Sequence, residues 1–175
     1  MLTLGSLFDG IGGWQLAALH NGIKPVWSSE IEKFPIAVTK IRFPDTIQLG
    51  DVRNIDGGKI TPVDIICAGS PCQGLSVANG ARNGLADERS GLFGQAIRII
   101  REMRNATGGK YPRFFAWENV PGCFSANRGA DFRAVLEEIS ATEIPIPQSK
   151  KWAECGLVRG NECEIAWRCL DAQYS

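Results

Sequence analysis

The strongest constraint on how this chain folds is an alternation along its length. Short apolar runs, each too brief for a helix, are separated by segments whose apolar residues recur at helical spacing. Leu2 to Phe8 and Pro25 to Ser29 read as buried strands, and Gly12 to Leu19 between them as a helix ending near Gly22. A second helix follows to Arg42, with Pro35 in its first turn, where no amide donor is required, and Pro44 beyond its end. Thr46 to Leu49 is a short third strand and Val63 to Ala68 a fourth. Leu92, Phe93, Ala96, Ile97, Ile100 and Met103 mark a helix over Ser90 to Arg104. Arg113 to Trp117 is the next strand and Phe132 to Ile139 a helix. Ile144-Pro145-Ile146-Pro147 cannot be helical and bridges to a last strand over Glu164 to Arg168. Strands that alternate with helices build βαβ units, so the expected class is α/β with a mostly parallel sheet.

Composition narrows the class further. A chain of 175 residues, 44% of them apolar, has the length of one domain and enough core-forming side chains to fold without staples. Nineteen basic and nineteen acidic side chains cancel, so any attraction to nucleic acid or membrane has to be local. The first ten residues carry no basic side chain, the first lysine being Lys24, which argues against a secretory signal. No apolar run approaches the ~20 residues that span a bilayer. The expectation is a cytoplasmic protein with no membrane partner. The six cysteines then read as reduced thiols. With no Cys-x-x-Cys pair and a single histidine, His20, no metal site is expected.

In parallel sheets, ligands bind in the loops at the carboxyl ends of strands, and three such loops carry unusual residues. The first is Phe8-Asp9-Gly10-Ile11-Gly12-Gly13. A dinucleotide fingerprint beginning at Gly10 requires glycine at position 15, where Gln15 stands. The glycines still admit a cofactor close to the backbone. Glu30, twenty residues after Gly10 and just past the second strand, is placed to accept hydrogen bonds from ribose hydroxyls. A nucleoside cofactor without a pyrophosphate suits this combination, and S-adenosylmethionine fits. Asp51, after the third strand, is either an acceptor for an adenine amino group or an ordinary solvated aspartate.

The second loop, Gly69-Ser70-Pro71-Cys72-Gln73-Gly74, sets Cys72 after a proline and between glycines, with few neighbours in which to bury. A thiolate there is a good nucleophile if its pKa falls below the free value of about 8.5. The other five cysteines read as small buried hydrophobes. The third loop opens with Glu118 and Asn119 after an apolar strand. A carboxylate beside Phe115, Trp117 and Val120 suits proton donation; a capping role for Glu118 at the following turn is the alternative.

Together, F-x-G-x-G-G over Phe8 to Gly13, G-S-P-C-Q-G over Gly69 to Gly74 and E-N-V over Glu118 to Val120 resemble the cytosine-5 DNA methyltransferases. Arg89-Ser90-Gly91-Leu92-Phe93 is similar to the pattern that follows the family's P-C loop, and the resemblance runs from Leu4 to Tyr174. It implies a Rossmann-like S-adenosylmethionine-dependent methyltransferase fold with one catalytic domain over residues 1–175. It also implies a mechanism. In the family a cysteine thiolate adds to C6 of a cytosine flipped out of DNA, a glutamate contacts N3, and a methyl group passes from S-adenosylmethionine to C5. Cys72 and Glu118 stand at those positions, with Asn119, Pro71 and Gln73 positioning them. The cofactor residues carried over are Phe8, Gly10, Gly12, Gly13, Glu30, Ile31, Asp51, Val52 and Leu92.

The resemblance further implies features that these 175 residues do not contain. They are a Gln-Arg-rich motif expected after Leu170-Asp171-Ala172-Gln173-Tyr174, a target-recognition domain, and an Asn motif that closes the cofactor site. The expectation is therefore a sheet incomplete at its C-terminal end, with a second polypeptide carrying the missing motifs as a candidate partner beside DNA. Two other readings stay open: an inactive remnant or binding module that holds cofactor or partner without chemistry, and a relative acting on RNA. Between Arg82 and Arg113, seven basic residues stand against Asp87, Glu88 and Glu102. Such a stretch either follows phosphates or forms a solvated helix face.

Overall fold

The computed structural model describes residues 1–69, 91–161 and 163–171. Residues 1–69 with 92–118 form one compact unit, and residues 119–161 with 163–171 belong to another.

In the first unit, β1 (Thr3–Leu7), β2 (Lys24–Ser29), β3 (Ile47–Gln48), β4 (Ile65–Ala68) and β5 (Phe114–Trp117) pair in the order β3-β2-β1-β4-β5. Every pairing is parallel. α1 (Gly13–His20) joins β1 to β2, α2 (Lys33–Arg42) joins β2 to β3, and α3 (Leu92–Ala106) precedes β5. The winding reverses between β1 and β4, so the loops leaving these two strands diverge and open a crevice at the carboxyl ends.

Central strands covered on both faces are buried along their length rather than at alternate residues, as Leu4 to Leu7 of β1 and Ile66 to Ala68 of β4 are. One cluster packs Leu7, Trp27 and Ile66 against Ala96, Ile99 and Met103 of α3, each exposed by 1% or less. Burying an aliphatic side chain of this size contributes about 1.5–3 kcal/mol, so this cluster fixes α3 against the sheet. A second cluster joins Leu4 and Cys67 to Ala18 of α1. Gly5 of β1 leaves room for the ring of Trp27, which a Cβ would strike.

In the second unit, α4 (Ala130–Ser140) presents Phe132 to Phe124, Trp152 and Trp167 in edge-to-face pairs with centroids 4.9–5.5 Å apart. Such pairs add about 0.5–1.5 kcal/mol each beyond the area they bury. The strand expected over Glu164 to Arg168 forms as β7, but it pairs antiparallel with β6 (Cys155–Arg159) in a sheet of its own. The sequence pattern does not reveal β6, because Gly156 interrupts it. That glycine is where the Trp167 ring crosses the hairpin, a close approach that excludes any side chain. One expectation is corrected here: Cys67 and Cys123 are buried, but Cys163 and Cys169 are half-buried and Cys155 is exposed.

Candidate cofactor and catalytic site

A cleft of about 320 Å³ opens at the carboxyl ends of the parallel strands. Phe8 enters it after β1, Glu30 and Ile31 after β2, Asp51 and Val52 after β3, and Leu92 at the start of α3. Its wall is mainly apolar, with charged groups among the lining residues. Six of the nine cofactor residues named from the sequence therefore meet in one place. Ser29, Glu32, Arg53 and Gly69 also line it and were not singled out.

The first loop is built around a buried acid that sequence reading passed over. Asp9, 5% exposed, accepts hydrogen bonds from Ser6 Oγ at 2.6 Å and Gln15 Nε2 at 2.5 Å. Burial pushes its carboxyl above the usual aspartate range; the two hydrogen bonds pull the other way, and the charge of Glu30 adds to the rise. Gln15 is fully buried, so the residue that breaks the dinucleotide fingerprint is the one that anchors Asp9. Phe8 sits at φ 55, a left-handed conformation that costs an L-residue roughly 1–2 kcal/mol, and such strain collects at functional loops.

Glu30 ties the ends of β1 and β2 together. Its Oε2 accepts from the Gly10 amide at 2.8 Å, and its Oε1 from the amides of Ile31 at 2.7 Å and Glu32 at 3.0 Å. A carboxylate offers about four lone-pair sites, so it can still accept from a ligand hydroxyl. Gln48 braces the same corner, its Oε1 accepting from the amides of Glu30 and Gly50. Gly12 and Gly13 do not line the cleft. Gly12, at φ 89, caps α1 and passes so close to the Phe43 ring that a Cβ would collide with it, so packing against α2 explains this glycine. Asp51 caps a short turn at Val52–Asn54, and Arg53 donates to both of its carboxylate oxygens. Those hydrogen bonds hold the Asp51 carboxyl below its ordinary range.

Pro71, Cys72 and Gln73 lie outside the described residues. What leads to them is described. β4 runs in register with β5, Ala68 opposite Trp117, and the Glu118 amide donates to the Ala68 carbonyl at 2.9 Å. Glu118 Oε2 lies 3.4 Å from where a Cβ of Gly69 would stand, so its carboxylate rests over the chain just before the Pro-Cys loop. Asn119 Oδ1 accepts from the Val120 amide at 2.8 Å. Burial pushes the Cys67 thiol up to about 12, which keeps it protonated and inert at neutral pH. The basic stretch also changes meaning. Arg98 donates to the Val52 and Ile55 carbonyls, Arg104 to the Pro112 carbonyl, and Arg113 pairs with Asp64. Three of its cations thus hold the fold together.

A parallel sheet wound in this order, with an acid at the lip of its switch-point cleft, is a Rossmann-like fold. The crystal structure of a Spodoptera frugiperda DNMT2 mutant superposes with a TM-score of 0.52 at 26% identity, covering 80% of this chain and 42% of that one. A structure described as a DNA modification methyltransferase of an E. coli prophage gives a TM-score of 0.58 at 22% identity, covering 90% of this chain and 40% of that one.

Residues 2–143 match the family model of the C-5 cytosine-specific DNA methylases, and the chain belongs to that family. Among curated relatives, the type II methyltransferase M.HhaI of Haemophilus parahaemolyticus is 34% identical over 83% of this chain and 45% of its own length. A protein of Escherichia phage P1 named DNA N-6-adenine-methyltransferase is 32% identical over 99% of this chain and 26% of its own. The chain thus spans less than half the length of these relatives. No helix among the described residues is long and apolar enough to cross a membrane.

Proposed function

We propose that this chain carries the cofactor-binding and catalytic part of a DNA (cytosine-5-)-methyltransferase that uses S-adenosylmethionine, with both compact units belonging to one catalytic domain over 1–175. The observation that carries the reading is the Glu30 carboxylate, tied to the Gly10 amide at 2.8 Å at the mouth of a cleft of about 320 Å³. That volume falls within the roughly 300–1,000 Å³ of small-molecule sites. Glu30 would take the ribose hydroxyls and Asp51 the adenine amino group. Phe8, Ile31, Val52 and Leu92 would wall the ligand, while Gly10, Gly12 and Gly13 shape the turn beside it. S-adenosylmethionine, when bound, supplies an electrophilic methyl group on a sulfonium.

Cytosine C5 is too weak a nucleophile to accept that methyl unaided, and the protein's own residues supply the activation. With the base flipped out of the duplex, the Cys72 thiolate adds to C6. Glu118 contacts N3 and stabilises the charge that develops there, so electron density moves to C5. After C5 is methylated, its proton leaves to solvent, the C5–C6 double bond re-forms and the thiolate is expelled. Pro71, Gln73 and Asn119 position these groups.

A duplex containing 5-fluorocytosine in randomised flanking sequence, whose C5 substituent cannot leave as a proton, tests the reading. With S-adenosylmethionine it should trap a covalent protein–DNA adduct that persists in Cys67→Ala and disappears in Cys72→Ala. An adduct that survives Cys72→Ala would move the nucleophile elsewhere. The name of the phage P1 relative favours a second reading, transfer to adenine N6. An exocyclic amine needs no thiol addition, so N6-methyladenine formed by the Cys72→Ala protein would establish it.

A further inference from the structure

We propose that Arg128, Lys150 and Lys151 form a cationic ridge on the second unit that docks the phosphate backbone of duplex DNA. The choice of partner rests on the function proposed above; the surface rests on its own observations. Arg128 and Lys150 both sit in left-handed backbone, at φ 57 and φ 56, where glycine is the residue without penalty. The two strained turns are neighbours. The Lys150 carbonyl oxygen lies 3.2 Å from where a Cβ of Gly129 would stand. Both turns are pinned to the buried Trp152, whose Nε1 donates to the Gly129 carbonyl at 2.8 Å and whose amide donates to the Phe124 carbonyl at 3.1 Å. The Lys150 amide donates to the Pro147 carbonyl and Ser149 Oγ to the Lys151 carbonyl, which stiffens the second turn.

All three side chains are exposed, and none is in an ion pair among the described residues. The sequence places no acid between Glu118 and Asp131 or between Glu143 and Glu154, and Asp131, the acid nearest Arg128 in sequence, is buried and accepts from Asn127 Nδ2 at 2.8 Å. Arg98, Arg104 and Arg113 are spent on internal carbonyls and carboxylates, whereas these three are held outward. Strained backbone collects at functional positions, and exposed cations on neighbouring turns match the closely spaced charges of a nucleic-acid backbone.

Fluorescence anisotropy of a labelled duplex, followed over a series of salt concentrations without cofactor, measures the contact. The Arg128→Gly/Lys150→Gly double variant should lower the slope of log K against log salt by about 2, close to one unit per phosphate contact removed. Its thermal midpoint should be no lower than the parent's, because glycine suits both positions. Lys150→Gln/Lys151→Gln, which leaves the backbone chemistry alone, should give the same change of slope and decides the matter if the glycine variant fails to fold. Lys24→Gln, at the opposite end of β2, should leave the slope where it was. An unchanged slope in the Lys150→Gln/Lys151→Gln protein would overturn the proposal, as would a slope change seen with duplex RNA and not with DNA. Failure of the 5-fluorocytosine adduct with this slope change intact would sink the catalytic reading and leave the surface standing.

Discussion

Asp9 within the first loop and Glu30 beside it divide the work of shaping that loop. Burial raises the Asp9 carboxyl above its ordinary value of about 3.9, so the folded state binds that proton more tightly than the unfolded chain. The resulting stability is present in full below about pH 4 and is lost as pH rises through the elevated folded value. Asp9→Asn keeps the shape and removes the titration. Its thermal midpoint relative to the parent should therefore climb as pH increases from mildly acidic to neutral; a difference that stays flat would remove Asp9 from the linkage. Glu30→Ala should weaken S-adenosylmethionine binding by about 1–3 kcal/mol in calorimetry, the range for a hydrogen bond to a charged group, and unchanged affinity would place the cofactor elsewhere. Cys67, its thiol pushed up to about 12, should resist alkylation near pH 8 in the folded protein while exposed Cys155 reacts, as peptide mass spectrometry would read. Glu30 is legible in the sequence because its offset from Gly10 reflects the length of one helix and the strand that follows it. Gln15 and Asp9 are not, because a buried polar pair looks the same in sequence as two solvated residues.

Among the elements, α3 shows how one helix can be read correctly on one face and missed on the other. Its apolar period is plain in the sequence, and Phe93, Ala96, Ile97 and Met103 of that period are all buried, as is Ile99, which the period does not mark. Arg98, assigned to phosphate or solvent from its charge, is instead a brace. Its guanidinium donates to the Val52 and Ile55 carbonyls and pairs with Glu102 at 2.8 Å, and Glu102 in turn accepts from the Gly57 amide. Val52 lines the cleft, so the brace links the core to the site. Arg98→Ala should lower stability by about 1–3 kcal/mol, since two carbonyls and a carboxylate lose their donor together, and should reduce cofactor affinity as well. Arg98→Lys should recover only part of this, because an ammonium cannot reproduce the planar fork. Denaturant midpoints with an unchanged slope would measure it; wild-type stability in Arg98→Ala would make the contacts incidental. β6 marks the opposite limit, a strand hidden from its sequence because Gly156 is explained only by a ring on the other strand of the hairpin.

For the whole molecule, the order β3-β2-β1-β4-β5 brings together loops that stand sixty and more residues apart, and βαβ alternation makes that much legible in advance. The division into two units is not legible, because it depends on contacts between distant segments. The same long-range dependence underlies the last expectation, that residues 1–175 by themselves transfer methyl groups poorly. On the function proposed above, Cys72 and Glu118 engage the reacting ring. The arginine-bearing segment that the family resemblance implies is not among these residues, and losing a positioning group costs about a hundredfold or more in rate. The recognition domain that the resemblance implies would neutralise further phosphates, so DNA binding by residues 1–175 should be weak and strongly reduced by salt. Among the described residues β5 is paired on one side only, and its Phe114 is 55% exposed, an edge that invites association at high concentration. Labelled methyl transfer to DNA should therefore be slight with 1–175 alone and rise when a polypeptide carrying the motifs that the resemblance implies is added. Robust, sequence-specific transfer by the purified 175 residues would show that the two units already hold everything the reaction needs.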